Sequence, residues 1–189
     1  EDDEDEYDFL TEVSQRGLAE DVEALIKDAP NDFAPHLDML VDADSVYIYH
    51  AFQGISEALS DERYFDWSPI IEVCKEAVTR FDDWGSETRK KTCRLLKAGL
   101  TNTESSLLEN HRTDVKEVLI SLSNDPDPGL ENGSKVEFLP HDDPLHTAIN
   151  AVRPVALNAL ITYAVERAEK DGFDGSEEEQ ESGLEEEVK

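Results

Sequence analysis

Apolar residues recur at three- and four-residue spacing along most of this chain, which predicts helices nearly throughout. Strand-like alternation is almost missing: the only candidate extended stretch, residues 136–139, is too short to found a sheet. We therefore expect an all-α fold. Gly, Pro and helix-capping residues divide the pattern into short helices joined by tight turns.

The first half of the chain predicts four short helices. Phe9, Leu10 and Val13 indicate a first helix that ends at Gly17, and a second helix stops at Pro30. The apolar residues of the second helix are Leu18, Val22, Leu25, Ile26 and Ala29. Asn31 or Asp32 is expected to cap a third helix that turns Phe33, Leu37, Leu40 and Val41 inward. A fourth is capped by Asp44 or Ser45, buries Tyr47, Ala51, Ile55 and Leu59, and carries Gly54 for a close helix contact.

The next helices begin at Ser68 and Ser86. Ser68 is a natural N-cap because Pro69 suits the first helical position. From Ser86 the apolar stripe Cys93, Leu96 and Leu100 keeps phase with later residues, so one long helix could run on through Leu107, His111, Val115, Val118 and Leu122.

Residues 124–143 contain five Pro and Gly positions, Pro126, Pro128, Gly129, Gly133 and Pro140, and predict a long loop. A final helix then begins at Pro144, after Asp142 or Asp143 as cap. Its apolar phase continues through Pro154, so we expect a kinked but continuous helix over residues 144–172, in which Pro154 leaves the Asn150 carbonyl without its partner.

These elements define five segments: an acidic disordered end (1–6), a helical-repeat region (7–123), the long loop (124–143), the kinked helix (144–172) and an acidic disordered tail (173–189). Antiparallel helix pairs with short turns are typical of an α-solenoid of the HEAT or armadillo type, and a compact irregular bundle is the alternative. No fixed repeat period is evident, so the repeat interpretation depends on the order of the helices.

The strongly acidic charge balance is the most informative feature of the composition. Seventeen Lys and Arg against 46 Asp and Glu give a formal net charge of −29. The acids also lie on the polar faces of the helices, a composition typical of a halophilic cytoplasmic protein, because molar salt screens the self-repulsion.

Nucleic-acid binding is disfavoured, since the only short basic cluster is Arg89, Lys90, Lys91 and Arg94. No apolar run is long enough to span a membrane. The chain opens on acidic residues without an initiator Met, which suggests a fragment of a larger protein.

No motif for catalysis or a cofactor is evident. Cys74 and Cys93 lack metal-site spacing and predict buried free thiols. Phosphate-binding loops and nucleophile elbows are missing, so we expect neither an enzyme nor a cofactor. One cluster, His141, Asp142, Asp143 and His146, has the side chains of a metal site, but its spacing matches no named site and its acids are explained as helix caps, so no metal is expected.

The candidate interaction residues are His146, Asn150, Arg153, Trp67 and Trp84. The first three lie at i, i+4 and i+7 on one polar stripe beside the long loop. We interpret this stripe as a latch in which Asn150 and Arg153 hydrogen-bond the loop backbone, with partner binding as the alternative. The two Trp residues are expected to plug the junctions between helix pairs or, alternatively, to mark an exposed contact patch.

Several stretches resemble the helical C-terminal region of large bacterial and archaeal proteins of mostly unknown function, some of which carry predicted nucleotide-binding or defence effector domains. The matching residues are Phe65, Asp66, Trp67, Ser68, Pro69, Trp84, Gly85, Thr88, Arg89, Lys90, Asp125, Pro126, Asp127, Pro128, Asp143, Pro144, Thr147, Ile149, Asn150, Val152, Arg153, Ala156, Ala159, Leu160, Ile161, Tyr163 and Ala164. The resemblance assigns no catalytic residue, and Pro154 and Val155 stand where that pattern has Gly and Glu.

Together these observations predict a non-catalytic helical scaffold or protein-interaction module of a larger halophilic protein, whose partner is another part of that protein or another subunit. The alternative is a regulatory or sensor region that controls a nucleotide-binding effector on the same chain. A P-loop or effector motif encoded upstream would favour the alternative.

Overall fold

The fold is all-α over the residues that the computed structural model describes, which are 14–80, 83–102, 105–126 and 149–172. The helices are α1 (Gln15–Asp28), α2 (Pro30–Phe33), a 3-10 helix (Ala34–Leu40), α3 (Ser45–Ser60), α4 (Ser68–Thr79), α5 (Ser86–Thr101), α6 (Leu107–Asn110), α7 (Arg112–Ser123) and α8 (Val152–Lys170). The described ranges contain no strand, and the all-α prediction is confirmed.

The helices contact one another in two rows. In one row α1 packs on α3, α3 on α5, and α5 on α8. In the other the 3-10 helix packs on α4, and α4 packs on α7. Helix α7 also contacts α8, which closes the two rows at one end. A single apolar core runs between the rows and includes Phe52, Trp67, Leu96 and Leu119.

Helix α1 differs from its prediction at both its start and its buried face. Gly17 does not end a helix: it lies in the first turn of α1 and donates its amide to the Oγ of the N-cap Ser14. Leu18 and Leu25 are about half exposed, because α1 turns Ala19 and Ile26 towards α3 instead. The predicted helix through residues 9–13 lies outside the described residues.

Gly54 sets the rotation of α1 against α3. A Cβ atom placed on Gly54 would lie 2.5 Å from the carbonyl oxygen of Glu23, so only glycine allows this approach of the two backbones. The predicted close helix contact at Gly54 is therefore confirmed. The Asp44 cap is also present, since its carboxylate accepts the amide of Val46 at 3.0 Å.

Two predicted caps are wrong. Asn31 does not cap a helix: α2 already begins at Pro30, and the Asn31 amide donates to the carbonyl of Tyr64 instead. Ser68 is the first residue of α4 rather than its cap, and the preceding Asp66 carboxylate accepts both its amide and its hydroxyl. A tertiary contact engages Asn31, whereas Ser68 is engaged by a local one, because the nearby Asp66 offers a competing acceptor.

The possible long helix through residues 86–122 does not form. Helix α5 ends at Thr101, and the separate short helix α6 (Leu107–Asn110) precedes α7, which begins at Arg112. Asn102 leaves the helical conformation and reaches across to the carbonyl of Leu59. Apolar phase therefore continues across this break only because α5 and α7 both face the same core.

The prediction of one continuous, kinked helix over residues 144–172 is wrong in its described part, from residue 149 onwards; residues 144–148 lie outside the described residues. Helix α8 begins at Val152, after Ala151 in an extended conformation, and Pro154 occupies its first turn. Amides in the first turn have no acceptor within the helix, so Pro154 removes no hydrogen bond and causes no kink. The Asn150 carbonyl precedes the helix and is not part of its hydrogen-bond ladder.

Candidate interaction sites

Arg153 makes the backbone contact that the latch interpretation requires. Its Nε and Nη2 atoms donate to the carbonyl oxygen of Asp125 at 3.2 and 2.9 Å. Asp125 follows the end of α7 and lies in the first part of the predicted loop. The remainder of that loop and His146 lie outside the described residues. Asn150 lines a cavity of about 430 Å³ between α5 and the start of α8.

A second arginine, which sequence reasoning treated only as part of a basic cluster, completes this contact. The Nε atom of Arg89 lies 2.8 Å from a carboxylate oxygen of Asp125, and its Nη1 donates to the carbonyl of Trp84 at 2.5 Å. Asp125 is fully buried, and Arg89 is 7% exposed. The latch is therefore the group Arg89, Asp125 and Arg153, which joins α5, the end of α7 and α8.

The position of Arg89 in the sequence indicates that its side chain is buried. Arg89 lies in helical phase with the buried stripe Cys93, Leu96 and Leu100, at i, i+4, i+7 and i+11. A charged residue on an apolar stripe must either reach solvent or find a buried partner. The partner Asp125 is 36 residues away, so no local pattern identifies it.

Trp67 and Trp84 are buried, at 2% and 1% exposure, which excludes the exposed contact patch considered for them. Trp67 packs on Gly99 of α5: a Cβ atom at Gly99 would lie 2.6 Å from its indole ring carbons. The ring of Phe65 lies beside that of Trp67, with centroids 5.2 Å apart. The Nε1 of Trp84 is buried, and no hydrogen-bond partner for it is found within the described ranges.

A polar network that the sequence did not reveal crosses α1, α3 and α5. Glu23 of α1 lies 2.6 Å from the Nδ1 of His50, and Gln53 donates to Glu57 at 2.8 Å. The Nζ of Lys91, on α5, donates to the Oε1 atom of the Gln53 amide. Burial lowers the pKa of Lys91 to about 8, although the nearby carboxylate of Glu23 opposes this shift. His50, Gln53 and Glu23 line a cleft of about 850 Å³ that opens beside the start of α5.

The thiols do not offer a nucleophile. Cys74 and Cys93 are buried free thiols, as predicted, and burial raises the pKa of both, that of Cys93 to about 12. A reactive cysteine needs a lowered pKa and access to solvent. Across the described residues, no group of three or more His, Cys, Asp and Glu side chains is placed to hold a metal ion. The cluster considered at 141–146 lies outside these ranges.

The outward face of α8 is uncharged along its length. At 100° per residue, its outer third contains Pro154, Leu157, Asn158, Ile161, Ala164, Val165 and Ala168. Leu157 is 45% exposed, Ile161 64% and Val165 50%. The opposite face of α8 is also apolar, with Val152, Ala156, Ala159 and Tyr163 buried against α5 and α7. We call the outer third the α8 outer face.

No protein-family model matches this chain, and no similar curated protein or solved structure was found. In the described ranges, no helix combines the length and apolar character needed to cross a membrane. The function proposed below is therefore inferred from the geometry of this chain alone.

Proposed function

We propose that this chain is a helical scaffold of the HEAT-like repeat class that works as a protein-interaction module, with the α8 outer face as its docking surface. The two rows of helices support the repeat interpretation, because each new helix pair in a solenoid stacks on the preceding pair and contacts little else. Among the described helices, α1 and α8 are the two end members of one row.

The uncharged α8 outer face is the observation that carries the proposal. In a solenoid the terminal helices need polar outer faces to remain soluble. In this chain a third of the residues are charged, yet none of them lies on that face. Helix α8 has two opposite apolar faces, and an apolar face of a helix is normally buried. A partner that covers Leu157, Ile161 and Val165 would satisfy this pattern.

Helix α1 lacks such a face. The outer face of α1 also exposes Leu18 and Leu25, but Asp21 and Asp28 lie among them. Charged side chains next to an apolar residue keep its surroundings hydrated and weaken docking. The acidic surface further supports our proposal that the module works in molar salt, where the repulsion between its carboxylates is screened.

Site-specific photo-crosslinking tests the interaction function in the protein's own cells. A photoreactive phenylalanine analogue at Ile161 should yield a discrete covalent adduct with a protein partner after illumination. The same analogue at Met39, which is 75% exposed on the 3-10 helix, is the matched control and should yield none. Absence of any adduct at positions 157, 161 and 165, in a protein shown to be folded, would exclude α8 as a docking surface.

A further inference from the structure

We propose that the partner on the α8 outer face is a second copy of this chain, bound through an antiparallel, two-fold symmetric pairing of α8 with α8. This inference depends on the proposed function and names the partner of the same surface. A symmetric contact needs a surface that is complementary to itself. An uncharged apolar face meets this requirement, whereas an acidic face would oppose an identical acidic face.

Charge restricts which faces of two copies can meet. Each chain carries a net charge of −29, so most approaches of two copies are repulsive. Helix α8 itself is close to neutral, with Arg153, Arg167 and Lys170 against Glu166 and Glu169. The basic helix α5 lies directly beside α8. A contact through α8 and the adjacent α5 therefore brings few carboxylates of one copy against those of the other.

The edges of the α8 outer face are complementary in an antiparallel arrangement. Arg94 and Lys97 of α5 line the cavity beside Pro154 and Asn158, on the N-terminal half of α8, and Lys97 hydrogen-bonds Asn158. Glu169 lies on the same edge of α8, near the C-terminal end, about 60° around the helix from Pro154 and about 20° from Asn158. A two-fold axis perpendicular to α8 keeps that edge on the same side in both copies. The Glu169 end of one helix then meets the Arg94 and Lys97 end of the other.

The size of the contact sets the expected affinity. Helix α8 has 19 residues and is about 28 Å long. A contact through one such helix buries less than the roughly 800 Å² per partner of stable complexes. We therefore expect a dissociation constant of about 1 to 100 μM at about 1 M KCl. Association should strengthen as KCl rises from about 0.15 to about 1 M, because salt screens the repulsion between the copies.

Sedimentation equilibrium of the purified chain, with Ile161→Glu as the test variant and Leu25→Glu as its matched control, measures this association. Leu25 is 51% exposed and lies on α1, at the other end of the same row. Ile161→Glu should weaken the dimer at least about tenfold, whereas Leu25→Glu should leave it unchanged. Circular dichroism establishes that both variants fold.

A charge exchange provides a second, independent test. Arg94→Glu and Glu169→Arg should each weaken the dimer at about 0.15 M KCl, and the double variant should recover the affinity of the original chain. A wild-type chain that stays monomeric at about 300 μM in 1 M KCl overturns the proposal. So does an assembly that Leu25→Glu also disrupts, since that result indicates head-to-tail stacking. A crosslinked adduct at position 161 with a different protein would then preserve the interaction function and remove only the second copy.

Discussion

The latch predicts a definite order of stabilities for three arginine variants. Arg153→Ala removes two hydrogen bonds from a charged guanidinium to the Asp125 carbonyl, at 3.2 and 2.9 Å. Hydrogen bonds to charged groups contribute about 1.5 to 3 kcal/mol each, but Arg153 is only half-buried, so water can replace part of the contact. We expect the free energy of unfolding to fall by about 1 to 3 kcal/mol.

Arg89→Met should cost more. It leaves the fully buried carboxylate of Asp125 without its ion pair, and breaking a buried pair in this way typically costs about 3 to 5 kcal/mol. Arg167→Ala is the matched control on α8. Its partner Asp171 lies 3.2 Å away, but both side chains are more than 40% exposed, so the loss should not exceed about 0.5 kcal/mol.

Urea unfolding at about 1 M KCl, followed by circular dichroism, measures these differences at constant charge screening. For a chain of this size each kcal/mol lowers Tm by about 2 to 4 °C. The latch is refuted if the Arg153→Ala midpoint equals those of the wild type and of Arg167→Ala. In that event Arg153 would be a surface residue available for partner binding, and the Asp125 contact would contribute nothing to stability.

Three further predictions follow from the composition, the packing and the buried lysine. Tm should rise from about 0.01 to about 1 M KCl, as the Debye length falls from about 30 to about 3 Å; a flat or falling series would remove the salt-adaptation argument. Gly99→Ala should destabilise by about 1 to 3 kcal/mol in thermal unfolding despite a better helix propensity, because its Cβ would lie 2.6 Å from Trp67; an unchanged Tm would show that the indole can move. The folded chain holds the pKa of Lys91 at about 8 against 10.5, so between these values the unfolded chain binds more protons and stability should rise with pH. Lys91→Met should abolish that rise in urea titrations, and an identical pH profile would show that Lys91 keeps its ordinary pKa.

The sequence determined the helical class and most helix bodies, because a 3.6-residue apolar period identifies a helix wherever it faces a core. Buried positions such as Cys93, Leu96 and Leu100 were predicted for this reason. Local signals also located the Asp44 cap and the Gly54 contact, since both depend on residues close in sequence or on the absence of a side chain.

Where the helices begin was less well determined. The phase through Pro154 indicated one continuous helix, but proline is equally compatible with a first turn, and Ala151 is extended. Similarly, the phase from Cys93 to Leu122 continued across a real break at Asn102. Apolar phase records which face is buried, and consecutive helices that face one core can share it.

Only the tertiary structure decided which polar residues meet. Asp125 joins Arg89, 36 positions away, and Arg153, 28 positions away. His50 meets Glu23 across α1 and α3, and Lys91 reaches Gln53 from α5. The α8 outer face became evident only when contacts with α5 and α7 distinguished it from the equally apolar inner face. Local sequence fixes the conformation of each segment, whereas pairing between distant segments depends on how all the helices pack together.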